Sequence, residues 1–551
     1  MRFAGMLCDF MEKIFVFFFA PLEAIRSGCH PLPEAGVRKS CPEGPFRRQG
    51  TNGSEYMALL SRTGLISCLA LFLALPACLQ ANRPAQLGRL IDWPQEPLAY
   101  SVQGPRPFPV DRTDELSASA DFLLDRHFQP WQGQGAMYNA TTVFGDLAAF
   151  SRKKLFGENL RPRSRHWFDQ LRAKCRVQAY PSLDRKAVTV RRTDVRLLPT
   201  SRPAFRDPSL AGEGFPFDYL QYSSLWANTP VHISHASADK AWYFVETAHV
   251  YGWVKAEDLA FVSDQLAEQI QSMPLVALTR DGFAIKDRRG RFVFQGRIGM
   301  LLPVVSEPSR GYGCLALTAD QNGQAVSTIV TVDSNHAAPF PLAPSRAACA
   351  DIARELLGET YGWGGLYGNR DCSATMRDYC LPFGIWLPRN SSQQAEVGRR
   401  IDLQQVPDED KEAMLLERGV PFLSLVTMPG HVMLYIGSRN GRAAVLHTLW
   451  GLRTEGFWGR EGRLIVGQTV ITDLAPGAGV FFLDRPQAEL LHRIDGIIRL
   501  DHGVGSWDQA PYLHEGGATG PPSGSGCPDR PPGPSQAGSG FGVPSQGEEG
   551  Q

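Results

Sequence analysis

The spacing of apolar residues changes along the chain, and this succession of patterns limits the possible fold more than any other feature. Between residues 90 and 180 apolar side chains recur every three or four positions, which is the period of an α-helix. The windows that show this period best are predicted to be helices: 115–128, 148–156 and 165–175. From about residue 188 to 330 the pattern changes to short β-type runs between turn residues, such as Tyr251-Gly-Trp-Val-Lys. We therefore expect a mainly helical amino-terminal region followed by small β-barrels.

The length of the chain requires further domains, because 551 residues are too many for a single hydrophobic core. Helical and strand patterns mix between residues 342 and 500, where Ser345 is placed to cap a helix through Leu357. Strands are predicted near residues 432–436 and 444–447, and this mixture is typical of an α+β domain. Residues 503–551 are rich in Gly, Pro and Ser and are predicted to be a disordered tail.

The overall charge and the spacing of ligand-type residues exclude several functions. Lys plus Arg equals Asp plus Glu at 56 each, so no net field attracts nucleic acid. The 11 cysteines form no C-x-x-C pair, and no His or Cys has the spacing of a metal site. The Gly-rich stretches lack the flanking residues of nucleotide-binding loops. We expect neither metal nor cofactor nor nucleic acid, and a function that depends on one local site.

A signal-like segment begins well inside the chain. Residues 57–81 start with Met, carry Arg62 and continue in an apolar run that is too short to span a membrane comfortably. The run ends in Leu75-Pro-Ala-Cys78, which resembles the box of bacterial lipoproteins, in which Cys78 would be lipidated. Cleavage near Ala81 would instead give a soluble periplasmic protein. We therefore expect an exported protein, located in the periplasm and anchored to the membrane if Cys78 is lipidated.

A signal normally stands at the start of a chain, so the residues before this segment need an interpretation of their own. Residues 1–56 are interpreted as a misassigned start, with Met57 the true one, or as a disordered extension. The alternative is a genuine cytoplasmic extension in which the apolar segment is buried.

Cys372 follows a Gly-rich stretch, Tyr361-Gly-Trp-Gly-Gly, and opens a run of good helix formers. At a helix start the unpaired N–H groups and the helix dipole favour a thiolate, so we expect a lowered pKa and a nucleophile. Asp371 and Ser373 are equally able to cap this helix. A cysteine considered alone is more often a small buried residue, and Cys380 is interpreted in that way.

Two histidines are placed to act on such a thiol. His431 opens the predicted strand His-Val-Met-Leu-Tyr-Ile, and His447 lies on the neighbouring antiparallel strand, so cross-strand pairing can bring the imidazoles together. Covalent acyl transfer requires a nucleophile, a base and a group that orients the base. Cys372, His431 and His447 are the candidates for these three roles.

Five motifs in order, YGWGG, DCS, LPRNSSQQ, GHVMLYIG and LH, resemble the NlpC-type family of papain-like cell-wall peptidases over residues 342–500. The upstream regions resemble the subgroup that has a stabilising domain, here 90–187, and two bacterial Src-homology-3-like barrels, here 188–265 and 266–335. The resemblance implies a multidomain α+β protein with a papain-like domain. It also implies a catalytic triad of Cys372, His431 and His447.

Further site residues follow from the same resemblance. Tyr361 matches a tyrosine that helps to hold the oxyanion. Asp371, Ser373 and Ser391 match positions that contact the free α-amine of the substrate in close relatives, and Tyr251 and Glu213 are candidate contacts from the barrel region.

Members of the subgroup hydrolyse the bond between γ-D-glutamate and a diamino acid, so we expect a monomeric cysteine endopeptidase that acts on peptidoglycan or murein peptides through a thioester. A related acyltransferase or amidase, and a catalytically inactive wall-binding lipoprotein, are the alternatives. Ala374 replaces a usual glycine, and Pro421-Phe-Leu-Ser-Leu replaces a usual Gly-Asp-Leu turn. These departures leave open which diamino acid is recognised, and the choice between intact wall and free peptides is also open.

Overall fold

The computed structural model describes residues 92–100, 113–145, 147, 152–307, 309–455, 461–477, 483 and 489–501. All of them belong to one unit of the chain, residues 81–551. Three predicted segments lie outside the described residues: the extension 1–56, the signal-like segment 57–81 with Cys78, and the tail 503–551. No helix within the described ranges is long and apolar enough to cross a membrane.

The helices of the described part are distributed over the whole of it. Their bounds are α1 Thr113–Gln132, α2 Ala140–Phe144, α3 Arg165–Cys175, α4 Asp264–Gln271, α5 Arg346–Leu356, α6 Cys372–Cys380, α7 Ser391–Gln394 and α8 Asp408–Arg418. Short 3-10 segments occur at Pro97–Ala99, Val177–Ala179, Ala256–Asp258, Trp363–Gly368 and Leu381–Phe383.

The strands of the described residues form three sheets, in which every pairing is antiparallel. The first contains β1 Arg185–Thr189, β2 Thr193–Arg196, β3 Gln221–Leu225, β4 Pro230–Ala236, β5 Trp242–Glu246, β6 Tyr251–Lys255 and β7 Leu259–Phe261, in the order β3-β2-β6-β5-β4-β1-β7. The second contains β8 Leu275–Leu278, β9 Phe283–Asp287, β10 Phe292–Gly296, β11 Leu301–Ser306, β12 Tyr312–Ala319, β13 Ala325–Val332 and β14 Ala337–Pro339, in the order β10-β9-β13-β12-β11-β8-β14.

The third sheet contains β15 Arg399–Asp402, β16 Ser424–Met428, β17 His431–Arg439, β18 Arg442–Glu455, β19 Glu461–Thr472 and β20 Gly496–Arg499, in the order β15-β20-β16-β17-β18-β19. Helix α6 packs against β17, and its apolar face joins that of α5 in one core. Helix α5 starts where the sequence predicts, because the Ser345 hydroxyl accepts a hydrogen bond from the main-chain N–H of Ala348. The expected fold class, mixed helix and sheet with β-sheets before the last domain, is confirmed.

The helical predictions for the amino-terminal region are confirmed in two of their three windows. Helix α3 begins after Ser164, whose hydroxyl accepts from the main-chain N–H of Trp167, and α1 includes the first predicted window. The prediction for 148–156 is wrong over its described part, 152–156. Phe156 exchanges main-chain hydrogen bonds of 2.7 and 2.8 Å with Phe205 instead, so tertiary pairing with another segment prevails over local helical periodicity.

Buried ion pairs join both barrels to α6. The Asp378 carboxylate, 1% exposed, accepts hydrogen bonds from the Trp226 indole of the first barrel at 2.9 Å and from the Arg370 guanidinium at 2.7 Å. Arg370, also 1% exposed, pairs with Asp281 of the second barrel at 2.5 Å and with Glu359 at 3.0 Å. Burial opposes ionisation of Asp378, but neighbouring arginines hold its pKa below the ordinary value. The two barrels and the Cys372 helix therefore share one charged junction.

This junction predicts a large loss of stability when its central carboxylate is removed. Replacing Asp378 with Ala leaves Arg370 buried with fewer counter-charges, and we expect a destabilisation of about 3–5 kcal/mol. Differential scanning calorimetry measures it as a lowered Tm. Glu257→Ala is the matched control, because it removes only an exposed pair with Lys255 and should leave Tm unchanged. Equal Tm values for the two variants would contradict the importance of the junction.

Candidate functional site

Asp371 determines how the Cys372 helix begins. Its side chain accepts a hydrogen bond of 2.9 Å from the main-chain N–H of Ala374, so Asp371 and not Ser373 is the cap of α6. The Ser373 hydroxyl donates to Asp371 instead, at 3.2 Å. Cys372 is therefore the first residue of the helix. Its side chain is 9% exposed, whereas the other cysteines of the described residues are 0–1% exposed, so Cys372 is the most accessible thiol among them.

The expectation of a lowered thiol pKa at Cys372 is wrong. Burial raises the pKa to about 12, and the neighbouring Asp371 carboxylate acts in the same direction. The main-chain N–H of Val432 and the charge of Arg389 oppose this rise without cancelling it. The effect of burial on the thiol pKa is therefore larger than the opposite effect of the helix start, and the thiol is neutral in the resting site.

His431 and His447 form a line of hydrogen bonds across neighbouring strands. Strands β17 and β18 pair antiparallel with Leu434 opposite Leu446, and this register brings His431 Nε2 within 2.9 Å of His447 Nδ1. His447 Nε2 in turn lies 3.1 Å from the hydroxyl of Thr472 on β19. The Thr472 hydroxyl donates to the main-chain carbonyl of Asp473 at 2.7 Å.

These contacts fix where the ring protons are. Because the Thr472 hydrogen is used on a carbonyl, its oxygen accepts from His447 Nε2–H. Burial lowers the pKa of His447 to about 3 and that of His431 well below its ordinary value, so both rings are neutral and carry one N–H each. His447 Nδ1 must then accept from His431 Nε2–H. The lone pair on His431 Nδ1 is left as the base.

Contacts around Cys372 place this base and Tyr361 near the thiol. The main-chain N–H that points to the thiol belongs to Val432, the residue after His431. Tyr361 forms a β-bridge with Arg370, two residues before Cys372, and its ring packs on Trp450 with centroids 5.6 Å apart. The structure thus brings the three candidate catalytic residues and Tyr361 to one locality.

The residues predicted to contact the substrate lie in two regions, the Cys372 domain and the first barrel. Asp371 and Ser373 lie beside the thiol, and both are bonded to the buried Arg389 guanidinium, at 2.6 and 2.9 Å. Ser391 opens α7, which packs against β17. Tyr251 belongs to an aromatic cluster in the first barrel, with its ring 6.2 Å from that of Tyr222. The Glu213 carboxylate pairs with Arg206 at 3.1 Å and accepts from the Tyr219 hydroxyl at 3.2 Å.

Two residues of the site were not identified from the sequence. Thr472 fixes the ring orientation of His447 but has no sequence signal, because its role depends on the register between β18 and β19. Arg389 stands in the motif Leu-Pro-Arg-Asn-Ser-Ser, where a single arginine after an apolar stretch and a proline was the available signal. Its partner could be known only from the tertiary structure.

Two other histidines line a separate cavity. His127 and His249 border a space of about 60 Å³ together with Arg377, between α1, the first barrel and the segment after α6. Burial lowers the pKa of both rings, that of His127 to about 4. Throughout the described ranges, no group of three His, Cys, Asp or Glu side chains is placed to hold a metal ion.

Comparisons with known proteins extend over most of the chain. Residues 65–180 match the NLPC_P60 stabilising domain, residues 203–255 an SH3 domain of the SH3b1 type, residues 263–308 an SH3 domain of the SH3b2 type, and residues 358–451 the NlpC/P60 family. The last range includes Cys372, His431 and His447. A search of curated proteins found no match.

Two solved structures match parts of the chain. An NlpC/P60 endopeptidase from Photobacterium damselae subsp. piscicida superimposes with a TM-score of 0.65 at 23% identity, covering 75% of this chain and 98% of that one. An NlpC/P60 family protein from Bacillus cereus ATCC 10987 matches with a TM-score of 0.40 at 16% identity, covering 57% of this chain and 99% of that one. The first similarity shows that the domains share a fold.

The raised thiol pKa predicts the pH dependence of alkylation. Because the thiol is protonated at neutral pH and ionises only near its raised pKa of about 12, the rate of iodoacetamide labelling at Cys372 should rise about tenfold per pH unit from pH 7 to 9. Peptide mapping by mass spectrometry follows the site, and Cys372→Ala gives the background. A labelling rate that is already constant above pH 6 would indicate a resting thiolate and contradict this description.

Proposed function

The chain carries an NlpC/P60 domain behind a stabilising domain and two SH3 domains, and from this premise we propose that it cleaves the bond between γ-D-glutamate and diaminopimelate in peptidoglycan peptides. The NlpC/P60 family is a cysteine peptidase family, and the matched range holds all three candidate catalytic residues. The observation that carries the proposal is the hydrogen-bonded line from Thr472 through His447 to His431, which leaves His431 Nδ1 available as a base on the residue before Val432, whose main-chain N–H points to the Cys372 thiol.

The first half of the proposed reaction forms a thioester. His431 Nδ1 takes the proton of the Cys372 thiol as the sulfur attacks the γ-carbonyl of D-glutamate. The main-chain N–H of Cys372 and the Tyr361 hydroxyl stabilise the tetrahedral oxyanion. The intermediate collapses when the His431 imidazolium gives its proton to the departing amine of the diamino acid. The peptide bond is then broken and the acyl group is bonded to sulfur.

The second half restores the enzyme. His431 Nδ1 removes a proton from water, the hydroxide attacks the thioester carbonyl, and the second tetrahedral intermediate releases a carboxylic acid. The proton returns to sulfur. In both halves His447 accepts from His431 Nε2–H, so it stabilises the imidazolium while Thr472 keeps His447 in the required tautomer.

Under this proposal the enzyme encounters its substrate outside the cytoplasm. The segment 57–81 supplies export to the periplasm, and lipidation of Cys78 would hold the enzyme at the membrane. The support for this part is the sequence pattern, since these residues lie outside the described ranges.

The central test is the release of diaminopimelate from peptides that contain L-Ala-γ-D-Glu-diaminopimelate, followed by mass spectrometry. We expect Cys372→Ala to abolish release, because it removes the thiol that forms the thioester in the proposed reaction. Cys380→Ala, on the same helix and buried in the core, is the matched control and should retain activity. Turnover by Cys372→Ala, or transfer of the acyl group to an amine in place of water, would contradict the proposal.

Thr472 provides a second test, as a positioning residue. Thr472→Val removes the oxygen that holds the His447 tautomer, and we expect kcat to fall about tenfold with KM unchanged, which corresponds to the loss of one hydrogen bond. Thr469→Val is the matched control, because Thr469 is buried on the same strand and its hydroxyl is hydrogen-bonded to that of Thr448 instead of to His447. Equal effects of the two substitutions would show that Thr472 has only a structural role.

A further inference from the structure

One cavity is bordered by the amino-terminal helices, both barrels and the Cys372 helix. It has a volume of about 60 Å³, and its walls include His127 of α1, His249 of the first barrel, Gly299 of the second barrel and Arg377 of α6. Cys372 and Arg377 are five positions apart on α6, so their side chains point in directions that differ by about 140°. None of the three proposed catalytic residues is among the described residues that line the cavity. The cavity is therefore separate from the proposed catalytic site.

Arg377 has one donor that its ion pair does not use. Its Nε and Nη2 donate to Asp378 Oδ1 at 3.2 and 2.9 Å. Asp378 Oδ2 accepts from Trp226 and Arg370, so all four acceptor positions of this carboxylate are occupied. Arg377 Nη1 is buried and has no hydrogen-bond partner among the described residues.

His249 brings a second unpaired atom to the same cavity. It lies in the turn between β5 and β6, where the Thr247 hydroxyl accepts from the main-chain N–H groups of His249 and Val250, at 3.3 and 3.0 Å. The turn therefore fixes the backbone that carries the ring. His249 Nε2 is buried, and no group within the described part is bonded to it. Two unpaired buried atoms on residues that line one cavity indicate a ligand that the polypeptide does not supply.

The charge around the cavity favours an anion. Burial lowers the pKa of His249 well below its ordinary value, and the positive charges of Arg377, Arg389 and His127 act in the same direction. The His249 ring therefore lies in a positive field. No aspartate or glutamate is found among the described residues that border the cavity. An anion accepts from several donors at once and is attracted by this field, whereas a neutral molecule is not.

We propose that this cavity binds a halide ion, normally chloride, with His249 Nε2 and Arg377 Nη1 as donors. A neutral imidazole donates through Nε2 in one of its two tautomers, so binding does not require a protonated ring. The volume is sufficient for about four water molecules and thus for a monatomic ion. Much of the wall is apolar, and it includes Leu225, Ile385 and Leu387. Such a wall favours a singly charged ion, because burying a second charge costs more.

The bound ion joins the turn between β5 and β6 to α6. It thereby stabilises the docking of the first barrel on the Cys372 domain, on the side of α6 that is turned away from the thiol. It also adds a negative charge next to the buried cluster of Arg370, Arg377 and Asp378. The halide site goes beyond the proposed peptidase function and does not depend on it.

Thermal unfolding of the full-length protein at constant ionic strength tests the stabilisation. Sodium chloride or bromide replaces sodium gluconate, whose anion is too large for the cavity. We expect the Tm measured by calorimetry to rise by about 2–4 °C, because the halide binds only the folded protein. His249→Ala should remove this rise. His166→Ala, which replaces an exposed histidine on α3, is the matched control that should keep it.

Crystals grown in bromide locate the ion directly, because bromine gives an anomalous diffraction signal. We expect a peak at hydrogen-bond distance from His249 Nε2 and Arg377 Nη1, and no peak there in His249→Ala. The inference would be overturned by bromide peaks at surface positions alone, or by a Tm rise of equal size in the unmodified protein and His249→Ala, which would be a general salt effect. A peak in the cavity without any change in Tm would mark an adventitious ion only and would also overturn it.

Discussion

Asp371 and Arg389 form the buried ion pair on which the geometry of the site depends. The carboxylate caps α6 and accepts from the main chain of Gly364, so it fixes both the start of the Cys372 helix and the Gly-rich loop before it. Arg389 extends the pair to the first barrel, because its Nε donates to the Ser223 hydroxyl at 2.7 Å. One interaction thus joins the nucleophile, the loop and the barrel. Since both charges are buried, the loss of either would leave the other uncompensated.

The barrels are part of the site in this structure. Trp226 and Asp281, from different barrels, meet the Arg370–Asp378 pair beneath α6, and Arg192 and Arg297 hold the loop that carries Tyr367. These contacts pre-organise the groups around Cys372 before any substrate arrives. Cys372, His431 and His447 are buried as well, and their burial keeps the resting thiol and both imidazoles neutral. In the proposed reaction, proton transfer accompanies attack on the carbonyl.

The sequence was informative where local chemistry determines the structure. The cap at Ser345, helix α3 and the strands that carry His431 and His447 all follow from local patterns. The helix start alone led us to expect a lowered thiol pKa. That prediction is wrong because the thiol is buried by residues that are distant in sequence. The helix at 152–156 fails for a similar reason, since Phe156 pairs with Phe205. Thr472 and the partner of Arg389 could not be identified, because strand register and domain packing set them.

Direct detection of the acyl-enzyme tests the central claim that Cys372 forms a thioester with the γ-carboxyl group of D-glutamate. The enzyme is mixed with substrate, quenched in acid within the first turnover and digested, and the peptides are analysed by mass spectrometry. The account predicts a mass increase equal to the acyl part of the substrate on the peptide that contains Cys372, and its loss on treatment with hydroxylamine. Diaminopimelate release without any adduct, or an adduct on another residue, would contradict it.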